Sequence, residues 1–108
     1  MKTMTIHKVI IELQYFEGCP NAIEMKRRVK EAIGQISSDV MYKEVIVKTH
    51  ELSKQLKFRG SPTVIINGVD LENLPESLEG NLACRIYKNG LPTTEEIKRL
   101  ILLEKHIY

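Results

Sequence analysis

The chain has 108 residues, of which 43% are hydrophobic and 28% charged, and its formal net charge is +2. This length is typical of one domain, and the charge is too small to indicate a nucleic-acid or membrane partner. No segment approaches the roughly 18 apolar residues needed to cross a bilayer. Residues 1–16 lack the pattern of a signal peptide, and two cysteines are too few for a disulfide scaffold. We therefore expect a single cytoplasmic domain with reduced thiols.

The first half of the chain predicts a strand, a helix and a second strand. Val9 to Phe16 is rich in β-branched and aromatic residues, which favours a central strand covered on both faces. Gly18 ends this strand, and Pro20 suits the first turn of a helix whose apolar residues recur at helical spacing up to Ile36. Val40 to Lys48 is predicted to be the second strand.

The second half predicts a short helix, a hairpin and a final helix. The Asn67-Gly68 pair favours a tight turn between two strands. Residues 72–92 carry no clear periodicity. The predicted elements are a helix capped by Thr49, a strand from Thr63 to Ile66, a return strand from Val69 to Leu71, and a last helix opened by the capping box Thr93 to Glu96.

Cys19 lies where the first strand gives way to the first helix. The N-terminus of a helix carries partial positive charge and unpaired N–H donors, and both favour the thiolate form of a cysteine. The thiolate is the form that attacks disulfides and binds soft metals. A site with two thiols in one helical turn would have its second cysteine at position 22, but that residue is Ala22, and the other cysteine of the chain is Cys84.

The element order, the Cys19-Pro20 pair after the first strand and the Ser61-Pro62-Thr63 run before the third resemble the thioredoxin/glutaredoxin superfamily. The resemblance implies a thioredoxin-like α/β fold with a four-stranded mixed sheet and helices on both faces. It implies that Cys19 is the nucleophile, that Pro62 is cis, and that the backbone of Ser61 pairs with bound substrate. The substrate-binding residues would be Gly18, Pro20, Ser61, Pro62 and Thr63.

The segment around the second cysteine has a resemblance of its own. Leu82 to Tyr87, followed by Leu91 to Glu96, is similar to the cysteine-bearing C-terminal segment of organomercurial lyases. Cys19 and Cys84 would match the two thiols of those enzymes, whereas their aspartate has no counterpart because position 22 is alanine. This resemblance implies the capture of a soft metal by two thiolates rather than cleavage of a carbon–mercury bond.

The sequence leaves three functions open. The first is a redox protein without a cofactor, in which Cys19 attacks a protein or small-molecule disulfide and Cys84 or an external thiol resolves the product. The second is binding of a soft metal by the same two cysteines, and the third is a non-catalytic interaction module. Asp70 and Glu72, which follow the hairpin turn, are expected to be ordinary surface carboxylates.

Overall fold

Seven helices and strands follow one another in the predicted βαβαββα order. A computed structural model describes residues 9–36 and 39–105, so the expectations for residues 1–8 lie outside the described residues. The elements are β1 (Val9–Tyr15), α1 (Pro20–Gly34), β2 (Val40–Ile46), α2 (His50–Leu56), β3 (Thr63–Ile66), β4 (Val69–Asp70) and α3 (Thr94–Lys105). None of the helices in this part of the chain is long and apolar enough to cross a membrane.

The four strands form one mixed sheet in the order β2-β1-β3-β4. β1 runs parallel to β2, so α1 is the crossover connection between them, and β1 and β4 both run antiparallel to β3. The turn between β3 and β4 has positive φ at both central residues, 50° at Asn67 and 82° at Gly68. This backbone is that of a type I′ hairpin turn, which is the turn that the Asn-Gly pair predicts.

The main core lies on one face of the sheet, beneath α1 and α3. Val9, Ile11 and Leu13 alternate along β1, and all three are fully buried on this face. The two helices pack against each other, and α3 also contacts β1. The other buried members of the cluster are Met25, Val29, Ala32, Val64, Ile66, Tyr87, Ile97 and Ile101.

The opposite face differs from the prediction of a strand covered on both sides. Ile10 is 41% exposed, and Glu12 forms an ion pair with Lys43 at 3.4 Å across the β1–β2 pair. Farther along β1 the same face closes, because Gln14 and its cross-strand partner Thr63 are both buried. The covered end of this face is therefore the end at which β1 leads into Cys19.

Residues 72–92, between β4 and α3, contain no helix and no extended strand, and we call them the insertion. At two neighbouring positions of the insertion, burial is the reverse of what hydropathy suggests. Ile86 is 91% exposed, whereas its neighbour Arg85 is buried. This inversion explains why the sequence did not indicate how the insertion packs.

Candidate functional site

Cys19 is the residue at which α1 begins. It takes an extended conformation as the N-cap, Pro20 follows in the first turn, and the Ala22 N–H donates to the Cys19 carbonyl at 3.0 Å. The Cys19 side chain makes no capping hydrogen bond, so its sulfur is available for contacts outside the helix. The Sγ atom lies 3.8 Å from the carbonyl oxygen of Ser61, and the residue is only 2% exposed.

The Ser61-Pro62-Thr63 run forms the wall of the site opposite α1. The Ser61–Pro62 peptide bond is cis, as the resemblance implies. The Ser61 hydroxyl accepts a hydrogen bond from the Phe16 N–H at 3.3 Å, which joins this run to the end of β1. The Thr63 hydroxyl donates to the Gly60 carbonyl at 2.6 Å. All three residues of the run are buried, and the run is held from both sides.

The insertion brings Cys84 into the same place. The Ser61 N–H donates to the Ala83 carbonyl at 2.9 Å, and the Arg85 N–H donates to the Ser61 carbonyl at 2.8 Å. These two bonds form a parallel bridge between Ser61 and Cys84. The pairing predicted between the Ser61 backbone and a substrate is thus made by the chain itself. Cys84 is exposed, whereas Cys19 beneath it is buried.

The two thiols interact electrostatically. A side-chain hydrogen bond with Cys19, assisted by charge repulsion from the Cys19 sulfur, raises the pKa of Cys84 above its ordinary value. Both cysteines also lie against the same residue, Cys19 through its Sγ atom and Cys84 through the backbone bridge to Ser61.

A buried ion pair fixes the insertion beside the sheet. The Arg85 guanidinium donates two hydrogen bonds to the Asp70 carboxylate, at 2.7 and 2.8 Å, and both side chains are almost fully buried. Asp70 also accepts the backbone N–H groups of Glu72 and Leu74 at 2.9 and 3.0 Å. Burial alone would raise the pKa of Asp70, but the hydrogen bonds from Arg85 and these two N–H groups hold it below its ordinary value. The prediction of an ordinary surface carboxylate is wrong for Asp70.

A second contact of the insertion reaches the cis-proline itself. The Tyr87 hydroxyl donates to the Pro62 carbonyl at 2.6 Å, and the Arg85 guanidinium lies 4.4 Å from the centre of the Tyr87 ring. Arg85 also donates to the Thr63 hydroxyl at 3.2 Å. Sequence reasoning missed Arg85 and Tyr87. Arg85 is charged, and the segment that carries both residues lacks the periodicity that would indicate a buried face. Their spacing of two residues beside Cys84 is the one signal that could have identified them.

The predicted substrate-binding residues divide into two groups. Ser61, Pro62 and Thr63 are buried together with Cys19, whereas Gly18 and Pro20 are exposed at the start of α1. A depression of about 240 Å³ leads from solvent to Cys19 on this exposed side. Phe16, Glu17, Gly18 and Ile23 are among the residues that line it.

Comparisons with known proteins leave the family undetermined. No protein-family model matches the chain, and no curated protein matches it. A solved structure of a malarial protein superposes with a TM-score of 0.58 at 12% sequence identity, over 94% of this chain and 100% of that chain. At this identity the likeness shows that the two chains share a fold, and it carries no functional information.

Proposed function

We propose that the protein is a thiol–disulfide redox protein of thioredoxin-like fold that acts through Cys19 and Cys84. The observation that supports this proposal best is that two cysteines 65 positions apart in the sequence both lie against Ser61, the Cys19 Sγ atom 3.8 Å from its carbonyl oxygen and Cys84 bridged to its backbone. The βαβαββα order, the four-stranded mixed sheet and the cis-proline next to Cys19 support the fold assignment. The position of Cys19 at a helix N-terminus supports its role as nucleophile.

The proposed reaction is a two-electron exchange in two steps. The Cys19 thiolate attacks one sulfur of a disulfide, forms a mixed disulfide with it and expels the other half as a thiolate. Cys84 then loses its proton and attacks the Cys19 sulfur, which expels the second half and leaves a Cys19–Cys84 disulfide. The substrate has gained two electrons and two protons as two thiols. Two external thiols, or one dithiol, then return the two electrons, restore both cysteines and leave as a disulfide.

Each step uses a different part of the site. The helix N-terminus favours the negative charge on Cys19 before attack, and the bridge to Ser61 holds Cys84 where it can resolve the mixed disulfide. Ala22, which stands where a second cysteine would lie in the helix, leaves this resolving role to the insertion.

Single-turnover reduction of cystamine, a small disulfide, tests the proposal. The reduced wild-type protein should release two thiols per chain and end with a Cys19–Cys84 disulfide, which is seen as a mass two hydrogens lighter with no adduct. Cys84→Ser should release one thiol and keep an aminoethylthio group on Cys19. A Cys19→Ser protein that reduces cystamine as fast as wild type would contradict the proposal.

Binding of a soft metal is the second candidate function, and the same pair of thiols favours it. In residues 9–36 and 39–105 no three His, Cys, Asp or Glu side chains are grouped so that they could hold a metal ion. A site with two sulfur ligands suits a two-coordinate soft ion such as mercuric ion. Titration with mercuric ion should show one equivalent bound by both thiolates, and uptake that is unchanged by Cys84→Ala would exclude the pair as the site.

A further inference from the structure

The backbone edge next to Cys19 is already occupied. An extended polypeptide that binds at a sheet edge needs free backbone N–H and C=O groups to pair with. At Ser61 both groups are used, the N–H by the Ala83 carbonyl and the carbonyl by the Arg85 N–H. A polypeptide substrate could pair with Ser61 only after the insertion had moved away.

The insertion is seated closely at this edge. A Cβ atom added to Gly60 would lie 3.0 Å from the Arg85 Cβ and 3.2 Å from the Ala83 carbonyl oxygen. The buried bonds from Arg85 to Asp70 and from Tyr87 to Pro62 hold the segment on either side of the bridge. Removing one member of a buried ion pair leaves an uncompensated charge, so displacement of this segment is unfavourable. The insertion is therefore a fixed wall of the site.

The depression beside Cys19 is lined by residues of β1, α1 and the turn between them, and by none of the insertion. Its volume of about 240 Å³ is smaller than the pockets that hold drug-sized ligands. Phe16, Ile23 and the backbone at Gly18 make it largely apolar, and Glu17 is an exposed carboxylate at its rim. A negative charge at the entrance attracts cations and repels anions.

We infer that Cys19 reacts with small, neutral or cationic disulfides that enter through this depression, and that the insertion excludes extended polypeptides. This inference rests on the proposed function and names its substrate class. The exchange is the one described above: the small disulfide is reduced to two thiols, the two cysteines are oxidised, and two external thiols or one dithiol return the two electrons.

Three chromogenic disulfides with one leaving group test the inference. In each disulfide one half is 5-thio-2-nitrobenzoate, and the other half is an aminoethylthio group, a carboxyethylthio group or the cysteine of a ten-residue unstructured peptide. Because the leaving thiol is the same in all three compounds, differences between their rates report on how readily the other half reaches Cys19 and on the charge of that half. The aminoethyl compound should react fastest at low salt. The peptide should react more slowly than the aminoethyl compound, because both backbone groups of Ser61 are already bonded to the insertion, which fills the edge on which an extended peptide would lie.

Variants separate the two parts of the inference. Glu17→Gln should reduce the aminoethyl-to-carboxyethyl rate ratio severalfold, while Glu51→Gln, a change at an exposed carboxylate on α2, should leave it unchanged. Arg85→Met, which removes the anchor of the insertion, should raise the peptide rate relative to the aminoethyl rate. Circular dichroism identifies an Arg85→Met protein that fails to fold, and in that case the wild-type rate ratios alone decide.

The outcomes distinguish the inference from the proposed function. A peptide rate equal to the aminoethyl rate in the wild-type protein would overturn the inference and leave the redox function standing. No reaction of Cys19 with any of the three compounds would overturn the redox function itself. An unchanged charge ratio in Glu17→Gln would overturn the preference for cations.

Discussion

The two cysteines of the site are held by two different kinds of structure. Cys19 is placed by regular backbone, at the point where β1 ends and α1 begins. Cys84 lies on a segment without helix or strand, which is bonded to Ser61 through two backbone hydrogen bonds and anchored by the buried Arg85–Asp70 pair and the Tyr87–Pro62 hydrogen bond. A position set by a strand and a helix withstands most single substitutions, whereas a position that depends on a few anchoring side chains can be lost with one of them. Cys84 is therefore the more vulnerable of the two cysteines.

Of the expected effects, the largest is the loss of stability on removal of Asp70, which anchors the segment that carries Cys84. Asp70→Ala leaves the buried Arg85 without its carboxylate and also removes the carboxylate that lies 3.7 Å from Arg59. We expect the free energy of unfolding to fall by about 3–5 kcal/mol, as for other broken buried pairs. Urea unfolding measures the change. The double variant Asp70→Leu/Arg85→Met, which removes both charges, should be more stable than Asp70→Ala, and an equal or lower stability would contradict the role of the ion pair.

Lowering the pH protonates the Asp70 carboxylate and should weaken its contact with Arg85. The folded-state pKa of Asp70 is lowered, so its contribution to stability is fully present above the ordinary value for aspartate and is lost as the pH falls through the folded value. The free energy of unfolding should begin to decrease below about pH 4. In Asp70→Asn this acid-dependent decrease should be smaller, and identical acid profiles for the two proteins would show that Asp70 does not contribute.

Two glycines offer a matched comparison of the two regions. Gly60 and Gly18 both have positive φ, 107° and 90°, but only Gly60 has neighbours, Arg85 and Ala83, within 4 Å of an added Cβ. Alanine strains the backbone at both positions, at a cost of about 1–2 kcal/mol each. We expect Gly60→Ala to lose more stability than Gly18→Ala, because it also pushes the insertion away from Ser61. Thermal unfolding of the two variants measures the difference. Equal losses of stability would mean that the insertion moves away from the added Cβ atom without cost.

The smallest expected effect is a change in the pKa of the Cys84 thiol. Its pKa is raised by the hydrogen bond with Cys19 and by the charge of that sulfur, so replacing Cys19 with alanine should lower it toward the ordinary cysteine value of about 8.5. Alkylation of Cys84 followed by mass spectrometry over a range of pH gives the midpoint in each protein. The wild-type midpoint should lie above that of Cys19→Ala. Coincident midpoints would show that the thiols do not interact in solution.

The same contrast explains what the sequence could predict. The order of the elements, the cap at Thr49, the Asn67-Gly68 turn and the start of α1 at Pro20 depend on local propensities, and all are confirmed. Asp70 was mispredicted because its partner Arg85 lies on a segment without periodicity, and no local rule links an arginine to a carboxylate 15 residues away. Contacts formed by irregular chain are the part of this structure that single-sequence reasoning does not reach.

The insertion supplies Cys84 from a point far along the chain, and this distance has a topological consequence. A bond between Cys19 and Cys84 would turn the 65-residue span between them into a closed ring that contains α1, β2, α2, β3 and β4. Closing a ring of this length restricts the unfolded chain by about 4 kcal/mol in the chain-entropy description. A helical-turn dithiol, whose ring is only a few residues long, restricts it far less. In this molecule, formation of that disulfide would raise the free energy of unfolding of the whole domain.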